Sequence, residues 1–154
     1  LIYAKEFGFK LSFVPVLYLV FTACASLFSL PFGKLADKIG RKPVMLISFL
    51  LWGLVCFCVI FIRGTAAIVS VFVLYGVHKG ALEPVQKTLV AELAPKEYRA
   101  ATLGGFQMVI GLCALPASFA AGLLWDKIGI SAPFYFSLGL TLLAVVLLFF
   151  VKEK

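Results

Sequence analysis

Leu11 to Phe32 is a run of 22 residues without a charge, and Val44 to Ile62 is a second run of 19. At 1.5 Å per residue a helix of either length crosses a hydrocarbon layer about 30 Å thick. Between them lies the charged decapeptide Gly33 to Lys42, G-K-L-A-D-K-I-G-R-K. Its position predicts a loop at a membrane surface: the chain leaves the bilayer for about ten residues and returns. Lys34, Lys38, Arg41 and Lys42 against the single acid Asp37 assign this loop to the cytoplasmic side. Gly33 and Gly40 bracket an Asp and an Arg four residues apart, a spacing that puts both on one side of a helical turn.

Three further spans follow, near 66–92, 101–125 and 133–151, so the expected fold is an all-α integral membrane protein with five transmembrane helices over residues 1–154, the first two spans being about 11–32 and 44–62. A 63% hydrophobic content and a mean hydropathy of +1.10 exceed what a soluble domain of this size needs, which makes the lipid bilayer its solvent. The net charge of +7 does not point to nucleic acid, because the basic residues sit mostly in short loops beside apolar spans. Eight basic residues fall in the segments assigned to the inside (Lys34, Lys38, Arg41, Lys42, Lys96, Arg99, Lys152, Lys154) and four outside (Lys5, Lys10, Arg63, Lys127). Residues 1–10 read as an extracellular approach and Arg63-Gly64-Thr65 as a short outer turn. Residues 93–100 read as a second inner loop, with Pro95 placed to begin a helical turn. Leu1 is preceded by no initiator Met and followed by no signal-peptide pattern, so the expectation is a piece of a longer chain. Cys24, Cys56, Cys58 and Cys113 lie inside apolar spans without metal or redox spacing.

An internal repeat is the second strong signal. Residues 24–40 and 113–129, offset by 89, are identical at nine of seventeen positions: Cys24/Cys113, Ala25/Ala114, Ser29/Ser118, Gly33/Gly122, Leu35/Leu124, Asp37/Asp126, Lys38/Lys127, Ile39/Ile128 and Gly40/Gly129. Three crossings separate the copies, an odd number, so they face opposite sides of the membrane, as inverted three-helix repeats require. Arg41 and Lys42 of the first copy become Ile130 and Ser131 in the second, the loss of charge expected on an outer face.

The decapeptide resembles the loop motif of the major facilitator superfamily, G-x-L-A-D-[RK]-x-G-R-[RK], at each defined position. The resemblance covers essentially the whole chain. It implies secondary active transport of a small solute by alternating access, coupled to an ion such as the proton. By it the chain supplies helices eight to twelve, with an N-terminal half of the same transporter as partner and a prokaryotic inner membrane as location. The residues show no nucleophile with a base, no metal-ligand set and no phosphate-binding glycine loop, so no enzymatic activity, cofactor or metal is expected. The resemblance also implies a gating role for Gly33, Asp37, Gly40, Arg41 and Lys42, with Arg41 pairing with Glu92 and Asp37 reaching the other half.

The residues themselves single out the third span. Charges inside a span cost about 2.5 to 3.5 kcal/mol each on insertion scales, so they face a protein interior or an aqueous cavity. At 100° per residue, Tyr75, Lys79, Glu83 and Gln86 share one stripe, with His78 beside it. Lys79 and Glu83, an i,i+4 pair, are the candidates for contact with substrate or coupling ion, and His78 or Glu83 for carrying a proton. An ion pair that only anchors the span is the competing reading of the same residues. Gly76 and Gly80 form a small-xxx-small pair suited to close helix packing. The small residues of the fourth span predict that it packs against other helices, whereas the Leu, Val and Phe of the fifth suit a lipid-facing position. Trp52, Phe49, Phe57 and Phe61 read as packing or lipid-facing residues. Two alternatives remain at this point: a non-transporting membrane fragment or scaffold, and an intramembrane enzyme using His78 and Glu83, which lie on different faces.

Overall fold

In a computed structural model, which describes residues 14–62 and 65–151, the chain is five long helices: α1 Val14–Ile39, α2 Arg41–Phe61, α3 Thr65–Leu93, α4 Arg99–Lys127 and α5 Ala132–Phe150. All five are long and apolar enough to cross a membrane, and no strand occurs among the described residues. The expected outer approach at 1–10, most of the turn at 63–65 and the tail at 152–154 lie outside the described residues.

The charged decapeptide is not a ten-residue loop. α1 continues through Gly33, Asp37 and Lys38 to Ile39, and α2 begins at Arg41, leaving Gly40 alone between them. Gly40 has φ 96° and ψ 164°, a backbone region that side-chain-bearing residues rarely enter, so one residue redirects the chain while its N–H still bonds the Ala36 carbonyl at 3.1 Å. Hydropathy marks where the hydrocarbon ends; the helix runs a further two turns because Lys, Leu, Ala, Asp and Ile do not interrupt its backbone hydrogen bonds. At the matching point of the repeat, Gly129 has φ 135°, and the N–H groups of Ile128 and Gly129 both bond the Leu124 carbonyl, at 3.0 and 3.1 Å. Gly40 and Gly129 are the only described residues with positive φ. α3 stops before Pro95, which disfavours helical geometry at Ala94, and a single 3-10 turn at Lys96–Tyr98 leads into α4.

α3 is the central element, packed most extensively against α1 and next against α2. Gly76 and Gly80 are buried against α1, so closely that a Cβ on Gly80 would lie 2.5 Å from the Ala25 carbonyl oxygen. Two apolar clusters fix which helix ends lie together. Ala36, Val44 and Val85 pack at one end. Leu17, Val59 and Ile68 pack at the other, joined by Trp125 and Ile130, which flank Gly129. The two Asp-Lys-Ile-Gly turns therefore stand at opposite ends of the bundle. α5 runs antiparallel beside α2, joined to it by a 2.9 Å hydrogen bond from Trp52 Nε1 to Ser137 Oγ. Large apolar side chains such as Leu27, Leu115 and Phe150 are exposed, as on a surface solvated by lipid. α4, expected to pack against other helices, touches α3 and α5 without burying any of its residues. Most of its small residues, Gly104, Gly111, Ala114, Ala117, Ser118 and Gly122 among them, are exposed.

Candidate functional site

Two charged assemblies lie on this frame. At the Gly40 end, Arg41 opens α2, Asp37 lies in the last turn of α1 and Glu92 in the last turn of α3. Arg41 Nη2 donates to Glu92 Oε1 at 2.8 Å, Nε approaches both Glu92 oxygens at 3.3 and 3.4 Å, and Nη1 donates to Asp37 Oδ1. The Arg41 side chain is 16% exposed, against 67% for Asp37 and 47% for Glu92, so one guanidinium clamps the ends of three helices. All three charges oppose their own helix dipoles: a cation at an N-terminus and anions at two C-termini, each placement unfavourable by about 0.3 to 1 kcal/mol. Helix capping thus does not account for them; their mutual contact does. Of the other motif residues, Gly33 lies within α1 with open space around it, and Lys42 lies in the first turn of α2.

The second assembly is a polar cleft of about 520 Å³ between α1 and α3. From α3, Lys79 Nζ donates to Glu83 Oε1 at 3.0 Å, and Gly80 between them lets the wall of α1 come close. From α1 come Tyr18, Thr22, Ser26 and Ser29, whose roles the sequence reading missed although their spacing of four, four and three is itself a polar stripe on an otherwise apolar helix. Thr22 and Ser29 donate to carbonyls of their own helix, those of Tyr18 and Ser26, at 2.9 Å each. Their oxygens are thereby left as acceptors toward the cleft.

The structure separates the remaining stripe residues from this cleft. Gln86 is half-buried on α3 and does not line it. Tyr75 turns into an aromatic group, its ring stacked on Phe21 with centroids 5.0 Å apart and tilted against Trp52 at 5.6 Å. His78 is buried on the opposite side of α3, against α2, with Nδ1 2.7 Å from the Ser48 carbonyl oxygen. A carbonyl only accepts, so Nδ1 carries the proton of that bond and His78 ties α3 to α2. A smaller chamber of about 290 Å³ lies beside it, lined by His78, Trp52 and Thr141, and Lys79 forms part of the wall of both cavities. No group of metal-ligating side chains occurs among the described residues.

A family model described as Major Facilitator Superfamily matches residues 1–154. An uncharacterized MFS-type transporter of Methanocaldococcus jannaschii is 36% identical over 139 residues, which is 90% of this chain and 35% of that protein. The inner membrane metabolite transport protein YgcS of Escherichia coli is 35% identical over 81 residues, 53% of this chain and 18% of that protein. The multi-drug resistance efflux pump PmrA of Streptococcus pneumoniae is 31% identical over 130 residues, 84% and 32% respectively. The chain thus spans about a third or less of the length of these relatives.

Proposed function

The chain belongs to the Major Facilitator Superfamily, whose members are integral membrane transporters of small solutes rather than enzymes, and from that membership we propose that residues 1–154 form helices eight to twelve of a proton-coupled secondary transporter working by alternating access. The Gly40 end faces the cytoplasm of a prokaryotic cell, and the N-terminal half of the same transporter completes the solute path. One relative is named as a metabolite transporter and another as a multi-drug efflux pump, so the solute itself is not carried over from them.

The observation that carries this reading is the Lys79–Glu83 ion pair in a polar cleft between two apolar helices. Two charges at membrane depth are unfavourable by several kcal/mol, and a cleft that admits water and solute offsets that cost. Glu83, half exposed and holding one side of the pair, is the group that exchanges its partner when a proton or solute arrives. Asp37, Arg41 and Glu92 act as a latch: their contacts stabilise the conformer in which the Gly40 ends of α1, α2 and α3 are drawn together, and rocking must break or re-form such contacts. Fixed by its bond to Ser48, His78 holds α3 to α2 and serves as a secondary proton candidate through Nε2.

The test is transport by the complete protein in proteoliposomes under an imposed proton gradient, with Glu83→Gln and Lys79→Ala. Both variants are expected to fold and to lose gradient-driven transport by about tenfold or more, as removal of a contact worth 1.4 kcal/mol or more in the working cycle requires. Parental rates in both variants would refute the assignment of the cleft.

A further inference from the structure

Pro84 lies inside α3. Proline has no N–H, so the carbonyl of Gly80, four residues earlier, loses the donor it would have in an unbroken helix. Within a membrane a nearby hydroxyl commonly meets such a carbonyl. Among the described residues the two closest in sequence or space are committed elsewhere: Thr88 donates to the Pro84 carbonyl at 2.8 Å, and Ser29 to the Ser26 carbonyl at 2.9 Å. Gly80 and Pro84 both line the polar cleft where α1 comes nearest, the Ser29 nitrogen being 3.2 Å from a Cβ position on Gly80. The neighbouring oxygens are short of donors as well. Lys79 takes Oε1 of Glu83 and leaves Oε2 open, and the Ser29 hydroxyl, its proton given to its own helix, offers lone pairs.

We infer that this end of the cleft binds sodium through Glu83 Oε2, the Gly80 carbonyl oxygen and Ser29 Oγ, with water from the open cleft completing the coordination. A ligand set made of oxygen alone suits a hard cation and not a transition metal. The charge selects a monovalent ion: one carboxylate supplies a single negative charge, and Lys79 already opposes it. A backbone carbonyl freed from its helix and a membrane-depth carboxylate are the means by which transporters hold such an ion. The inference deepens the coupling role proposed for Glu83, adding sodium to the ions that meet this carboxylate.

The experiment is equilibrium binding of radioactive sodium to the purified complete protein, with choline replacing sodium to hold the ionic strength. Saturable binding is expected in the parent. Glu83→Gln and Ser29→Ala are each expected to weaken it by about tenfold or more. Pro84→Ala is the sharper variant, since it returns an N–H to the Gly80 carbonyl and leaves every other ligand in place. It is expected to weaken sodium binding by about tenfold or more while the unfolding temperature holds or rises, because alanine favours the helix that proline interrupts. Binding in the parent no stronger than in Glu83→Gln, or parental affinity in either Pro84→Ala or Ser29→Ala, would overturn the inference. Transport assays separate it from the coupling role: a parent without sodium binding whose Glu83→Gln variant loses transport sinks the sodium site alone, whereas sodium binding with parental transport in Glu83→Gln upholds the site and refutes the coupling role.

Discussion

Gly80→Ala is expected to destabilise the protein by about 2 kcal/mol, although the same change in an unobstructed helix stabilises by up to about 1 kcal/mol. The two effects have opposite signs, and the geometry decides between them. The added methyl would lie 2.5 Å from the Ala25 carbonyl oxygen, a backbone atom that cannot swing aside, so α1 and α3 must separate along their closest line of approach. Separation also opens the wall between Gly80 and Ala25 that closes the polar cleft. Gly53→Ala on α2 is the control: nothing lies within 4 Å of its Cβ position, and helix propensity alone acts there. Thermal unfolding of the purified protein in detergent is expected to show Gly80→Ala well below the parent and Gly53→Ala at or above it. Equal midpoints for Gly80→Ala and the parent would mean that α1 and α3 do not touch as described.

Arg41→Ala is expected to impair transport far more than stability. Exposed ion pairs contribute about 0.2 to 1 kcal/mol each, and Asp37 and Glu92 are both largely exposed. Under the alternating-access proposal, however, the contact is made in only one of the conformers visited, and a difference of about 1.4 kcal/mol between conformers changes their ratio tenfold. Loss of Arg41 also leaves two carboxylates facing each other at helix C-termini, where anions are disfavoured. Transport by Arg41→Ala is expected to fall by about tenfold or more with little change in unfolding temperature. The exchanged pair Arg41→Glu with Glu92→Arg is expected to recover part of it, because the cross-helix attraction returns while the contact with Asp37 does not. A loss of stability that matches the loss of transport, with no recovery on exchange, would reduce the cluster to a structural staple.

The parts of this arrangement that were legible in the sequence are those written in short-range spacing or in apolar length. Five spans follow from hydropathy, and the approach of Lys79 to Glu83 follows from the i,i+4 interval. The pairing of Arg41 with Glu92, 51 residues apart, came from the motif resemblance instead, since no local spacing reports it. The helix ends were misjudged at Gly33 to Lys42 because charge marks the edge of the hydrocarbon and leaves the helical hydrogen bonds intact; only the backbone of Gly40 marks the break. The bond that ties His78 to the Ser48 carbonyl could not be read in advance, since a carbonyl is a partner that every residue possesses and no sequence pattern announces. Thr22 and Ser29 escaped notice because single hydroxyls in an apolar run bond their own helix at little cost, although with Tyr18 and Ser26 they form a stripe, which the fold places beside Lys79. The small residues of α4 raised the expectation of helix packing, yet most of them are exposed, because small size permits a close approach without specifying the helix that makes it.

Compartment labelling of Lys38→Cys and Lys127→Cys tests the inverted architecture most directly, since both positions are exposed and each stands beside one of the two positive-φ glycines. With a membrane-impermeant maleimide, Lys127→Cys is expected to react in intact cells and Lys38→Cys only in inside-out vesicles. Reaction of both cysteines from the same compartment would contradict the placement of the two turns at opposite faces of the membrane.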